Sequence, residues 1–89
     1  MKPSITDKER RLLVAIRDSD YHDGRDPIDD PVWTEIACDD SNLGTGAGGV
    51  MASLVAKGLA YTTGHGREDT CWITEDGMAA LKAAEGKED

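Results

Sequence analysis

The sequence predicts an α+β fold, mainly helical, with a three-helix core, a β-hairpin and a closing C-terminal helix in one domain spanning residues 1–89. Three observations carry this. Apolar residues recur at helical spacing along several stretches, threonines stand where helices should begin, and residues 59–73 hold two short alternating runs around a polar tip. Eighty-nine residues are enough for one modest core and no second lobe. There is no Phe and there are only two Trp and two Tyr, so the core must rest on Leu, Ile, Val, Met and Ala, helped by Trp33 and Trp72.

Thr6 followed by Glu9 is a capping box, which opens a helix over 7–18 with Leu12, Leu13 and Ile16 on its inner side and Lys8, Arg10, Arg11 and Arg17 mostly outward. The ordered core is expected over about 6–84. The acidic run 18–30, punctuated by Gly24 and Pro27, is a loop in which Ile28 is the sole aliphatic residue and can form a very short strand. Asp30-Pro31 reads as an N-cap followed by proline at the first helical position. The helix it would open, 31–38, turns Val32, Trp33, Ile36 and Ala37 to the core. Residues 39–42 form a polar turn. A third helix over 45–57 carries Ala47, Val50, Met51 and Leu54 as its buried stripe, and Gly58 ends it. Strands over 59–63 and 70–73 make a hairpin around the tip GHGRED, and Thr74 caps a helix over 75–84.

Eighteen acidic against ten basic residues leave a net charge of −8, the wrong sign for a general phosphate binder. Residues 1–40 hold eleven acids and six bases, and residues 41–89 seven and four. Neither an apolar run long enough to cross a bilayer nor a leader-like stretch is visible, so a cytoplasmic chain without membrane contact is expected. Cys38 and Cys71 lack a metal or redox spacing and read as reduced, packed thiols.

The segments LVAKGLAY (54–61) and ITEDGMAAL (73–81), set in the order helix, short helix, helix, hairpin, helix, resemble the core of a winged helix-turn-helix domain. They are similar to the segments that end the recognition helix and follow the wing in MarR-type bacterial transcriptional regulators, although the long dimerisation helices of those proteins have no counterpart here. The resemblance implies a small DNA-binding transcription regulator, with the helix 45–57 in the major groove and the wing 62–70 against the backbone. The nucleic-acid-binding set it implies is Ser41, Asn42, Thr45, Gly46, Gly48, Gly49, Ser53 and Lys57, joined by His65 and Arg67 from the wing. Gly46, Gly48, Gly49, Ala52 and Ser53 would form the exposed face of the helix, where related regulators usually carry Ser, Thr, Arg or Lys. No side chain on that face can grip a guanine with two hydrogen bonds.

Other patterns are weaker. GTGAGG (44–49) matches G-x-G-x-x-G, with Asp69 twenty residues beyond its last glycine, but a polar turn precedes it where a dinucleotide site needs a strand. The glycines either belong to a turn, with the helix starting later, or let its backbone approach a ligand. Arg67 either clamps a phosphate or pairs with Glu68 or Asp69, and Lys57 reads as a solvated charge at the helix end. Asp18, Asp20, His22, Asp23, Asp26, Asp29 and Asp30 are all metal-ligand types, yet the calcium-loop register fails: glycine falls at the seventh place and no glutamate closes the twelfth. No nucleophile stands in a motif with a base, so neither an enzyme nor a cofactor is implied. Two functions remain open: a regulator of double-stranded DNA, and an acidic winged-helix module that binds a protein through the small-residue face of helix 45–57 and an exposed Val55.

Overall fold

A computed structural model describes residues 5–63 and 69–85. Its elements run α1 (Asp7–Arg17), β1 (Val32–Trp33), α2 (Thr34–Ser41), α3 (Ala47–Ala56), β2 (Ala60–Thr62), β3 (Thr70–Ile73) and α4 (Glu75–Glu85), with short 3₁₀ turns at Asp20–His22 and Gly44–Gly46. The described residues therefore form an α+β arrangement, mainly helical, with one small antiparallel sheet of strand order β1-β3-β2. None of their helices is long and apolar enough to cross a membrane.

Helix α1 begins as its capping box requires. Thr6 Oγ1 accepts from the Glu9 N–H at 3.1 Å and Glu9 Oε1 accepts from the Thr6 N–H at 2.8 Å. Leu12, Leu13 and Ile16 are fully buried where α1 packs against α2, α3, α4 and β3. From α3 the core takes Ala47, Met51 and Leu54, from the sheet Val32, Ala60, Cys71 and Ile73, and from α4 Ala80 and Leu81. Arg17 reaches Glu85 at 2.9 Å, tying the end of α1 to the end of α4.

The segment 31–38 departs from expectation. Val32 and Trp33 are a strand, paired antiparallel with Cys71 and Thr70, and the helix starts three residues after Pro31. Pro31 has no N–H and prefers an extended entry, and β-branched Val32 fits a pleated, half-buried edge. Because a strand alternates where a helix would rotate, Val32 points in while Trp33 is 41% exposed. Ile36, one turn further, is also exposed. Ala37 is buried as expected. Residues 39–41 belong to the last turn of α2, and Asn42 caps it in the left-handed conformation that asparagine tolerates.

The start of α3 divides the glycines: Gly44 and Gly46 lie in the 3₁₀ segment, so the helix begins later than expected, at Ala47, while Gly48 and Gly49 lie within its first turn. What precedes Gly44 is α2 and its turn, with no strand there, so the nucleotide-binding context is missing. At its other end α3 closes with paired hydrogen bonds, Gly58 N–H to Val55 O at 3.0 Å and Leu59 N–H to Leu54 O at 2.9 Å. Gly58 at φ +73° makes this reversal possible, and Leu54 and Leu59 bury together beneath it.

The hairpin pairs Ala60 with Ile73, Tyr61 with Trp72 and Thr62 with Cys71. Thr74 then caps α4, its Oγ1 accepting from the Gly77 N–H at 3.0 Å and donating to Gly58 O at 2.8 Å. Gly77 is demanded by a close approach: a Cβ there would lie 2.1 Å from Leu59 O and 2.7 Å from Ile73 Cγ1.

The acidic loop is held down by two contacts. Ile28 bridges to Ile73 beside β3, as the short strand anticipated, with the Asp29 N–H bonded to Ile73 O. His22 is buried, its Nδ1 2.8 Å from Asp30 Oδ2 and its Nε2 2.6 Å from Ile16 O. The hydrogen bond from His22, reinforced by Arg25, holds the Asp30 carboxyl below its usual range. Among the described residues no group of three or more metal-ligating side chains comes together.

Candidate interaction surface

The turn between α2 and α3 presents five of the anticipated residues together. Asn42, Thr45, Gly46, Gly48 and Gly49 are all exposed, and nothing lies within 4 Å of where a Cβ on Gly46, Gly48 or Gly49 would stand. Ala52 and Ala56 extend the same open face along α3. Along α3 it is smooth and uncharged, because the side chains there are hydrogen atoms and methyl groups.

Three other candidates are placed differently. Ser41 is buried and donates to Cys38 O at 2.6 Å, a bond back within α2 that fixes the last helical turn. Ser53 and Lys57, one helical turn apart, both reach back to α1, Ser53 from a half-buried position and Lys57 from an exposed one. Ser53 Oγ donates to Glu9 Oε2 and Lys57 Nζ to Glu9 Oε1 at 2.8 Å. Glu9 is only 3% exposed. Burial opposes its ionisation, but hydrogen bonds from Lys57, Ser53 and the Thr6 N–H, with the charge of Lys57, overcome that and bring its pKa down to about 2. Lys57 stays solvated at the helix end, as anticipated, and its ammonium also pairs with the buried Glu9 carboxylate. A carboxylate removed from water is tolerated where donors and a counter-charge replace the water. His65 and Arg67 lie outside the described residues.

Val55 is half-buried where exposure was anticipated. With Met51, Cys38, Thr34, Thr62 and Asp69 it lines a shallow groove of about 440 Å³ between α2, α3 and the hairpin. Burial and the nearby charges of Asp39 and Asp69 push the Cys38 thiol up, and burial pushes Cys71 up to about 11. Both cysteines are free thiols, and both resist becoming thiolates.

Arginines elsewhere on the described surface have carboxylate partners. Arg10 and Arg11 both reach Asp7, Arg17 reaches Asp18 and Glu85, and Arg25 reaches Asp30. A phosphate backbone would have to compete for each of them.

Sequence reasoning found the capping box but missed that Glu9 also grips α3. The one available signal was the i, i+4 spacing of Ser53 and Lys57, which places both on one stripe of the helix and so before one partner. Set beside known proteins, the chain matches no family model, no curated protein and no solved structure.

Proposed function

We propose that this chain is a winged helix-turn-helix domain whose exposed α2–α3 face binds a protein. The order of α1, α2, α3, the β2–β3 hairpin and α4 supports the fold reading. One observation carries the functional reading: the polar side chains of α3 that could have faced DNA, Ser53 and Lys57, are bonded to buried Glu9. What α3 offers outward is Gly48, Gly49, Ala52 and Ala56, next to the carboxylates of α2. A helix face of hydrogen atoms and methyl groups, without a cation, suits close packing against another protein better than a phosphate chain.

A second reading, contact with double-stranded DNA, is favoured by the open approach to Asn42, Thr45, Gly46, Gly48 and Gly49. Backbone groups there can come close to a phosphate, and His65 and Arg67 follow in the sequence between β2 and β3. Few cations would take part, so the log–log salt slope would be roughly −2 to −4, and Arg67→Ala would flatten it by about one.

Fluorescence anisotropy of a labelled random duplex at low ionic strength separates the two. Absence of binding up to about 100 µM chain, the weak end of ordinary non-specific affinity, is expected. Saturable binding that weakens with salt and with Arg67→Ala would establish the DNA reading in its place. Affinity capture with wild-type and Gly48→Trp baits gives the complementary check. A protein retained by the first and lost by the second, with unchanged circular dichroism, supports the proposed face.

A further inference from the structure

Three of the chain's four aromatic residues stand on one face of the sheet. Strand alternation turns Val32, Ala60, Cys71 and Ile73 to the core and sends Trp33, Tyr61 and Trp72 the other way. Tyr61 and Trp72 are directly opposed, their ring centroids 6.2 Å apart and their planes tilted by 47°. Trp33 pairs with Thr70, one diagonal step from Trp72, a separation that aromatic side chains span. Trp33 is 41% and Tyr61 45% exposed. A chain without a single Phe thus holds Trp33 and Tyr61 in water, with half-buried Trp72 between them, in a row across β1, β3 and β2. Such rings, each with a polar tip, are the side chains that anchor interfaces.

Charge identifies the occupant. The outward residues Trp33, Tyr61, Thr70 and Trp72 carry none. The strand ends carry exposed carboxylates: Asp29, whose N–H bonds Ile73 O beside Trp72, Glu75 two residues past Ile73, and Glu35 two residues past Trp33. Lys57 adjoins Gly58, against which the Tyr61 hydroxyl rests, but it is directed to Glu9. The negative faces of aromatic rings inside an acidic border attract cations, and a planar guanidinium stacks on them better than an ammonium does.

We propose that the outer face of the sheet docks an arginine-bearing segment of a partner protein, with guanidinium groups lying over Trp33, Trp72 and Tyr61 and their charge met by Asp29, Glu35 and Glu75. Single-stranded nucleic acid also stacks on aromatic platforms, but it needs a cationic track, and the exposed charges Asp29, Glu35 and Glu75, among the described residues, are anionic. The proposal shares with the preceding one only the class of partner, since the sheet face is a different surface from α2–α3.

Both tryptophans of the chain lie on this face, so intrinsic tryptophan emission reports its occupancy directly. Titration with an octa-arginine peptide is expected to give a saturable change in emission, and an octa-lysine peptide of equal charge should bind several-fold more weakly. Trp33→Ala, with Trp72 as the remaining reporter, should weaken octa-arginine about tenfold, and so should Tyr61→Ser. The Asp29→Asn, Glu35→Gln, Glu75→Gln triple variant should weaken it and flatten its salt dependence. Equal binding of both peptides, unmoved by Trp33→Ala and Tyr61→Ser, would reduce the effect to the net charge of −8 and overturn the proposal. So would an absence of saturable change, an emission change with oligothymidylate alone, or a shift on concentrating the chain that tracks dimer formation. Gly48→Leu, which fills the α2–α3 face without adding a tryptophan, leaves this titration unaltered, so failure of the α2–α3 reading and failure of this one are told apart.

Discussion

At the scale of single residues, two positions fix more than their neighbours. Glu9 closes the capping box of α1 and receives Ser53 and Lys57 from α3, so one carboxylate joins local and long-range order. Its pKa falls from an ordinary 4.5 to about 2 on folding. The stabilisation from this shift is fully present above pH 4.5 and is lost as pH falls towards 2, amounting to about 3 kcal/mol. Glu9→Gln should therefore lose stability at neutral pH and show a shallower acid limb than the wild type in urea melts between pH 7 and pH 2. Parallel limbs would mean that Glu9 is not ionised in the fold. Gly77 is the second position. Its missing Cβ admits Leu59 O, a backbone atom that cannot swing aside. Gly77→Ala should cost about 3 kcal/mol, the upper end for overpacking, read as a lowered denaturant midpoint. A change below 1 kcal/mol would show that α4 slides freely on β2.

At the scale of elements, α3 is built against its own propensity. Gly48 and Gly49 lie in its first turn with open space above them, and each weakens a helix by about 1 kcal/mol relative to alanine. Gly48→Ala and Gly49→Ala should each raise the melting temperature, in contrast to Gly77→Ala. The same substitutions should weaken binding at the α2–α3 face if close approach is what the glycines provide. Elements with local signals were legible in the sequence. Thr6 and Glu9, Gly58, and Thr74 mark ends of α1, α3 and α4 through chemistry within a few residues, and the hairpin shows in its alternation. Strand β1 was not legible, because two residues have no period and Asp30-Pro31 imitates a helix start. That single error also misdirected Trp33, since a strand and a helix send the same residue to different sides. The candidate site was half legible: the open turn followed from its small residues, but the pairing of Ser53 and Lys57 with Glu9 joins positions more than forty apart.

For the whole molecule, the sheet sets the terms. Its middle strand, β3, is the last to occur in the chain, and β1 and β2 each pair with β3 and not with each other. A chain ending at residue 63 should accordingly keep partial helical circular dichroism without a cooperative melt, and a sigmoidal melt would show β3 to be dispensable. The order has a consequence during synthesis. Helix α1 leaves the ribosome early with Leu12, Leu13 and Ile16 exposed, and Val32 must wait for Cys71 before its strand has a neighbour. Folding of these elements then waits for β3 to emerge. Until that moment the nascent polypeptide carries bare leucines and two strands without their shared neighbour, so its aggregation risk is highest before β3 has emerged.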